Sequence, residues 1–235
     1  MPTATALTVE DVSYEQLAAT IDHSLLRPEL TVEEVLAGCE VAARYRVVSV
    51  CARPADVARC VAALDGTDVA IGTVVGFPHG ANETATKVFE ARRALEQGAT
   101  ELDMVLNIGL LRSGEDAAVE ADVRAVVEAA GDAAIVKVIL ENAYLDRDQK
   151  VRGCRLAEAA GAHFVKTSTG FAPTGATHED LRLMRETVSP SVQVKAAGGV
   201  RTLDGLLDVM ALGVTRIGAT RTAEILDDYR ARTGA

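Results

Sequence analysis

A chain of 235 residues, 49% hydrophobic and 25% charged, is long enough for one large α/β domain or two small ones. Its net charge of −10 argues against general nucleic-acid binding, which wants a basic face, yet leaves room for a locally basic pocket and a small anionic ligand. No apolar run approaches the roughly 18 residues of a membrane span, MPTATALTVEDVS lacks a secretory pattern, and four scattered cysteines (Cys39, Cys51, Cys60, Cys154) suit a reducing, cytoplasmic setting.

Short apolar runs alternate with amphipathic stretches from end to end. Those at 17–22, 47–52, 69–77, 101–108, 135–141, 163–169, 193–198 and 214–219 are predicted as strands. Between them, Thr31 and Glu34 form a capping box ahead of VLAGCEVAARY. Asn82 is placed to cap the helix through ETATKVFEARRALEQ, which stops at Gly98. Gly131, Gly161 and Gly213 close later helices in the same way, and Thr177 with Asp180 opens THEDLRLMRE. Eight strands with intervening helices and no linker predict a single (β/α)8 TIM barrel over 1–235, near the roughly 250 residues typical of that fold. Residues 1–14 or so read as a short N-terminal extension and about 223–235 as a C-terminal tail. A doubly wound sheet is the rival, but neither GxGxxG nor GxxxxGK[ST] occurs.

Several of these strands carry charge where a barrel is normally apolar. In ELDMVLNIG, Glu101, Asp103 and Asn107 alternate against Leu102, Met104 and Leu106. In IVKVILE, Lys137 and Glu141 share a face; in HFVKTSTGF, Phe164, Lys166 and Ser168 do; in QVKAAGG, Lys195 opposes Val194. The apolar sets suit the outer helices, which turns the polar sets inward. Buried ion pairs seldom improve on apolar packing, so a polar interior of this size points to chemistry.

An attacking amine must be neutral, and lysine holds its proton to about pH 10. A second ammonium about 4 Å away contributes roughly 4 kcal/mol at an effective dielectric near 20, or about three pH units. Lys195 lies on the strand after that of Lys166, so it can supply that charge, and Asp103 can move protons to and from a carbinolamine. Gly170, Gly198, Gly199 and Gly218 follow the last three strands, where barrel loops bind phosphate through backbone amides.

Eight ordered segments carry a resemblance: IDHSLLRPELT, SVCARP, TVVGFPHGAN, ELDMVLNIG, KVILE, FVKTSTGF, KAAGGVRT and RIGATRT. Together they resemble the deoxyribose-phosphate aldolases. That resemblance implies a class I aldolase on a (β/α)8 barrel, with no cofactor and no metal, which reversibly cleaves 2-deoxy-D-ribose 5-phosphate to acetaldehyde and D-glyceraldehyde 3-phosphate. It implies Lys166 as the Schiff-base lysine, Lys195 as the residue that lowers its pKa, and Asp103 as the proton relay. Asp22 and Ser24 would lie near the substrate hydroxyls, and Lys137 in the same site with an electrostatic role. Thr169, Gly170, Gly198, Gly199, Gly218 and Thr220 would form the phosphate region. The partners implied are a phosphorylated sugar and aldehydes, with neither nucleic acid nor membrane, and a homodimer is the assembly considered.

The chain departs from the family pattern in three places. Ser24 stands where threonine is common, which keeps the hydroxyl. GATRT puts Ala219 where a hydroxyl is usual and adds Arg221, whose guanidinium can equally reach a phosphate or point into solvent. ENAYL replaces the usual ETxxL at Asn142, so the path into the next helix is expected to differ. Cys51 can meet an aldehyde or serve as a packed core thiol. His23, His79, His163 and His178 show no HxH or HExxH spacing. Two other readings stand beside the aldolase: a phosphate-binding isomerase or synthase using Asp103 or Glu141 without a covalent intermediate, and a non-catalytic sugar-phosphate binder.

Overall fold

The structure is a computed structural model that describes residues 6–234. Eight parallel strands close into one barrel in sequence order: β1 (Ile21–Leu25), β2 (Ser49–Ala52), β3 (Ala70–Val75), β4 (Glu101–Val105), β5 (Ile135–Ile139), β6 (Phe164–Lys166), β7 (Gln193–Ala197) and β8 (Arg216–Ala219). Around them run α1 (Tyr14–Ala18), α2 (Val32–Tyr45), α3 (Val57–Ala63), α4 (Thr84–Glu96) and α5 (Ile108–Ser113). The second half of the ring is α6 (Asp116–Ala130), α7 (Arg147–Ala159), α8 (His178–Thr187), α9 (Leu203–Ala211) and α10 (Thr222–Thr233). The (β/α)8 expectation holds.

Period-two alternation splits each strand between two environments. The outward side chains Leu102, Met104, Val136, Val138, Val194 and Ile217 join the apolar cluster under the helices. The inward ones stack in layers contributed by alternate strands, as closure of a barrel requires. At the N-terminal end lie Ser49, Glu101, Phe164 and Arg216, each the first residue of β2, β4, β6 or β8 or adjoining it in register. Asp22, Gly72, Lys137 and Lys195 follow from β1, β3, β5 and β7. Cys51, Asp103, Lys166 and Gly218 come last, at the C-terminal end.

The sequence expectation fails at both termini. The run 17–22 is not one strand: Ser13 and Gln16 form a reciprocal capping box that opens α1, and β1 starts only at Ile21. Residues 223–234 are no tail, because α10 buries Ile225, Leu226 and Tyr229 and completes the outer ring, while residue 235 lies outside the described residues. The extension is also packed from Leu7 onward, with the Tyr229 hydroxyl donating to the carbonyl of Val12 at 2.8 Å. Residues 1–5 of it lie outside the described residues. Asn82 does not cap α4; Glu83 holds that position and makes no side-chain cap. The boxes at Thr31/Glu34 and the cap at Thr177 form as expected, and Gly131, Gly161 and Gly213 all take positive φ.

One buried ion pair ties the outer ring to the barrel. Lys87 of α4 donates to Asp122 of α6 at 2.5 Å and to the carbonyl of Val105, the last residue of β4, at 3.0 Å. Thr84 donates to the other Asp122 oxygen at 2.8 Å. Removing one partner strands a charge, whereas removing both does not. Lys87→Met should therefore cost about 3–5 kcal/mol in urea unfolding, and Lys87→Met with Asp122→Leu should recover most of the loss.

Candidate active site

Three carboxylates and four cations converge inside the barrel. Asp103 Oδ2 accepts from Lys166 at 2.7 Å and from Lys195 at 2.6 Å, while its Oδ1 accepts from Lys137 at 3.0 Å. Asp22 Oδ2 takes Lys195 at 2.5 Å and Lys137 at 3.2 Å. Its Oδ1 takes Arg216 and the Ser49 hydroxyl. Glu101 accepts Lys137 at 2.5 Å and a second guanidinium nitrogen of Arg216 at 2.7 Å. All of these side chains are buried.

The lysines are not equivalent. Lys137 bonds three carboxylates and Lys195 bonds two; Lys166 has one carboxylate oxygen and shares it with Lys195. Burial opposes the charge of all three. For Lys137 and Lys195 the carboxylates outweigh it, Asp103 first and then Asp22, and hold both pKa values above the ordinary one. For Lys166, burial together with the Lys195 charge outweighs Asp103 and pushes the pKa down. Asp103 itself goes the other way. Burial favours its neutral form, but Lys137, Lys166 and Lys195 hold it well below the usual carboxylate range.

An open cavity of about 410 Å³ sits over this cluster at the C-terminal end of the strands, where barrel enzymes place their sites. Lys166 is the one lysine that lines it, together with Ser24, Thr169, Gly170, Gly198, Gly199, Gly218 and Thr220. Asp22, Asp103, Lys137 and Lys195 lie beneath, as parts of the ion layer and not of the cavity wall. Cys51 is also beneath, its sulfur 4.0 Å from Asp103 Oδ2, and burial pushes its thiol up to about 11. It is a packed thiol.

The loops make the rest of the wall. Thr169 donates its hydroxyl to Glu141 and accepts from the amide of Phe171 at 3.0 Å, which fixes the turn at Gly170, where φ is +90°. Glu141 is thus not on the strand face shared with Lys137. β5 ends at Ile139, and Glu141 swings into the left-handed region at φ +57° to meet Thr169. Burial raises its carboxyl pKa, with the Thr169 bonds acting against that. After it a short 3-10 turn, Asn142–Tyr144, leads to Asp146, which caps α7. Among the described residues, the amides of Gly170, Gly199, Val200 and Thr220 have no acceptor within the protein and are free for an anion.

Arg221 lies elsewhere. It lines a neighbouring cavity of about 530 Å³ between α2 and α10, with Glu34 and Glu224. The cations that line the main cavity besides Lys166 are Arg27 and Arg201, neither singled out from the sequence. Arg201 ends the run KAAGGVR, two residues past Gly199, and that position was the available signal. Phe171 also lines the cavity, with its ring edge-to-face on Phe77 at 5.4 Å. Among the described residues, no group of three His, Cys, Asp or Glu side chains could hold a metal ion, and no helix is long and apolar enough to cross a membrane.

A closed parallel barrel with a desolvated amine at its C-terminal mouth, a carboxylate beside that amine and free amides around it defines a barrel enzyme acting on a small anionic substrate. The comparisons narrow this. The model of the DeoC/LacD family aldolases matches residues 11–222, and the chain belongs to that family. It is 48% identical to the deoxyribose-phosphate aldolase of Geobacillus sp. (strain WCH70), over 92% of this chain and 97% of the relative. A Coccidioides immitis crystal structure assigned as a deoxyribose-phosphate aldolase superposes with TM-score 0.90 at 39% identity, over 96% of this chain and 88% of that one. The Aeropyrum pernix deoxyribose phosphate aldolase, described as tetrameric, superposes with TM-score 0.86 at 31% identity, over 94% and 93%.

The depressed acidity of Asp103 has a consequence for stability. Its folded pKa lies below the unfolded value of about 3.9, so its contribution is present above that pH and is lost as pH falls toward the folded value. Asp103→Asn should be less stable at neutral pH, by roughly 3–5 kcal/mol for a broken buried pair. Its urea midpoint should also fall less steeply than the wild type's between about pH 4 and 2. Parallel acid branches would mean that Asp103 is not held by the lysines.

Proposed function

We propose that the protein is a deoxyribose-phosphate aldolase working through an imine on Lys166. The observation that carries this is the position of Lys166: it alone among the buried lysines faces the cavity, and the single carboxylate oxygen it bonds is shared with Lys195. A neutral Lys166 attacks the C1 aldehyde of the open-chain sugar, and water leaves as the imine forms. Loss of the C3 hydroxyl proton then breaks the C2–C3 bond. The bonding pair is held as an enamine, and glyceraldehyde 3-phosphate departs. Protonation at C2 and hydrolysis of the imine release acetaldehyde. Asp103, 2.7 Å from Lys166 Nζ, is the group placed to move protons at that nitrogen. Lys195 keeps Lys166 from holding its proton, and Ser24 on the wall is placed for a substrate hydroxyl.

Reduction in the presence of acetaldehyde tests the covalent step. Borohydride should inactivate the protein and leave the added mass on the peptide carrying Lys166; a label on Lys137 or Lys195 would overturn the assignment. Lys166→Arg should fold and be inactive, because a guanidinium stays protonated. An isomerase or synthase reading gives no substrate-dependent label at all. Chelators should leave the rate unchanged.

The phosphate end rests on the free amides of Gly170, Gly199, Val200 and Thr220 with Arg201 as the nearby formal charge. Arg201→Ala should raise KM for deoxyribose 5-phosphate about 10- to 100-fold, on the order of 1.5–3 kcal/mol for a charged hydrogen bond, and spare the slow reaction of deoxyribose. Arg221→Ala should change neither by more than about twofold, since a side chain outside the cavity makes no such bond. A large Arg221 effect confined to the phosphorylated substrate would reverse the two assignments.

A further inference from the structure

Two charged residues of the barrel take no part in the chemistry above. Arg216 opens β8 and Glu101 opens β4, both buried, and neither lines the cavity. Arg216 spans Asp22 and Glu101 and lies 5.8 Å from the centre of the Phe164 ring. A merely structural reading would treat them as the plug of the barrel's lower end. The charge count says more. The connected cluster holds Asp22, Glu101 and Asp103 against Lys137, Lys166, Lys195 and Arg216. Without Arg216 it would be balanced with every lysine protonated. With Arg216, balance is reached only when one lysine gives up its proton, and Lys166 has the weakest hold.

We propose that Arg216 and Glu101 are positioning residues that set the proton occupancy of Lys166 from a distance: Arg216 consumes carboxylate charge that the lysines would otherwise use, and Glu101 limits the excess to one. This rests on the imine reading of Lys166. The path is continuous. Arg216 takes Asp22 Oδ1 and both Glu101 oxygens; Lys137 and Lys195 then lean on Asp103; Lys166 is left with half of one oxygen. The groups facing Lys166 are Asp103 of β4, Lys195 of β7, Cys51 of β2 and Glu141 after β5. Glu141 is engaged with Thr169 and unchanged in each variant below.

The test reads the pH at which Lys166 is half reactive, by cyanoborohydride trapping with acetaldehyde and peptide mapping. Arg216→Met should move that midpoint up by roughly one pH unit, the effect of a unit charge on the order of 10 Å away at an effective dielectric near 20. Glu101→Gln should move it down by a similar amount. The double variant should return near the wild type, and Arg216→Lys, which keeps the charge, should stay there. Plugging alone would lower the yield of folded protein in both single variants without shifts of opposite sign. Coincident midpoints, or shifts of the same sign, overturn the inference while leaving the imine reading intact. Absence of any label on wild-type Lys166 sinks the imine reading instead. Should Arg216→Met fail to fold, the sign of the Glu101→Gln shift decides.

Discussion

One oxygen, Asp103 Oδ2, receives two ammonium groups at 2.6 and 2.7 Å, and the site depends on that shortage. Two lysines cannot both be fully compensated by a single acceptor in a medium where charge is poorly screened. The proton that leaves is decided by what else each lysine holds. Lys195 has Asp22 at 2.5 Å as a second partner, and Lys166 has none. Depressed basicity and cavity exposure fall on the same residue, so the nucleophile is selected by bonding and by position together.

The layer order of the barrel explains why this arrangement can form. Inward residues from alternate strands interleave, so a carboxylate from β4 lies between lysines from β5, β6 and β7. Long amines need room, and the inward position Gly218 supplies it beside Lys195. A Cβ at Gly218 would stand 3.7 Å from Ala197 Cβ and 3.9 Å from Lys195 Cε, in contact but without clash. Larger side chains there would compete with the lysine stems. The apolar layers usual in such barrels are thus replaced by one connected set of charges, closed below by Arg216 against Phe164.

Much of this was legible because strands alternate. The charged residues of ELDMV, IVKVI and QVKAA can only lie on the face opposite their apolar neighbours. The fold class and the convergence of Asp103, Lys137, Lys166 and Lys195 follow from that alternation. What escaped did so for physical reasons. Arg216 at the edge of TRIGAT looks like an ordinary charged strand end, and only barrel closure brings β8 beside β1 and so Arg216 onto Asp22. Glu141 keeps the parity of Lys137, but the backbone leaves the strand first, and parity carries no information past a left-handed residue. The start of the run 17–22 is apolar in either conformation; the reciprocal box of Ser13 and Gln16 is the local feature that draws Leu17 and Ala18 into a helix. Arg221 against Arg201 is a question of where two loops lead, which periodicity does not address.

A buried set of charges is poor ground for stability, since desolvation offsets most of the pairing. In this barrel the two tasks are divided between the faces of the same strands. Leu102, Met104, Val136, Val138 and Val194 bury apolar surface against the helices, at roughly 1.5–3 kcal/mol for each fully buried side chain, while Asp103, Lys137 and Lys195 face inward from the same strands. The division holds only in one register, because a slip by one residue would put the lysines under the helices and the valines in the barrel. The end of β6 shows how that register is kept beside the reacting amine. Thr167, next to Lys166, bonds through its hydroxyl to both the amide and the carbonyl of Ala197, and its own amide donates to the carbonyl of Lys195. The side chain after the nucleophile thus clamps β6 to β7 at the level where Lys166 must meet Lys195, and the electrostatics follow from the clamp.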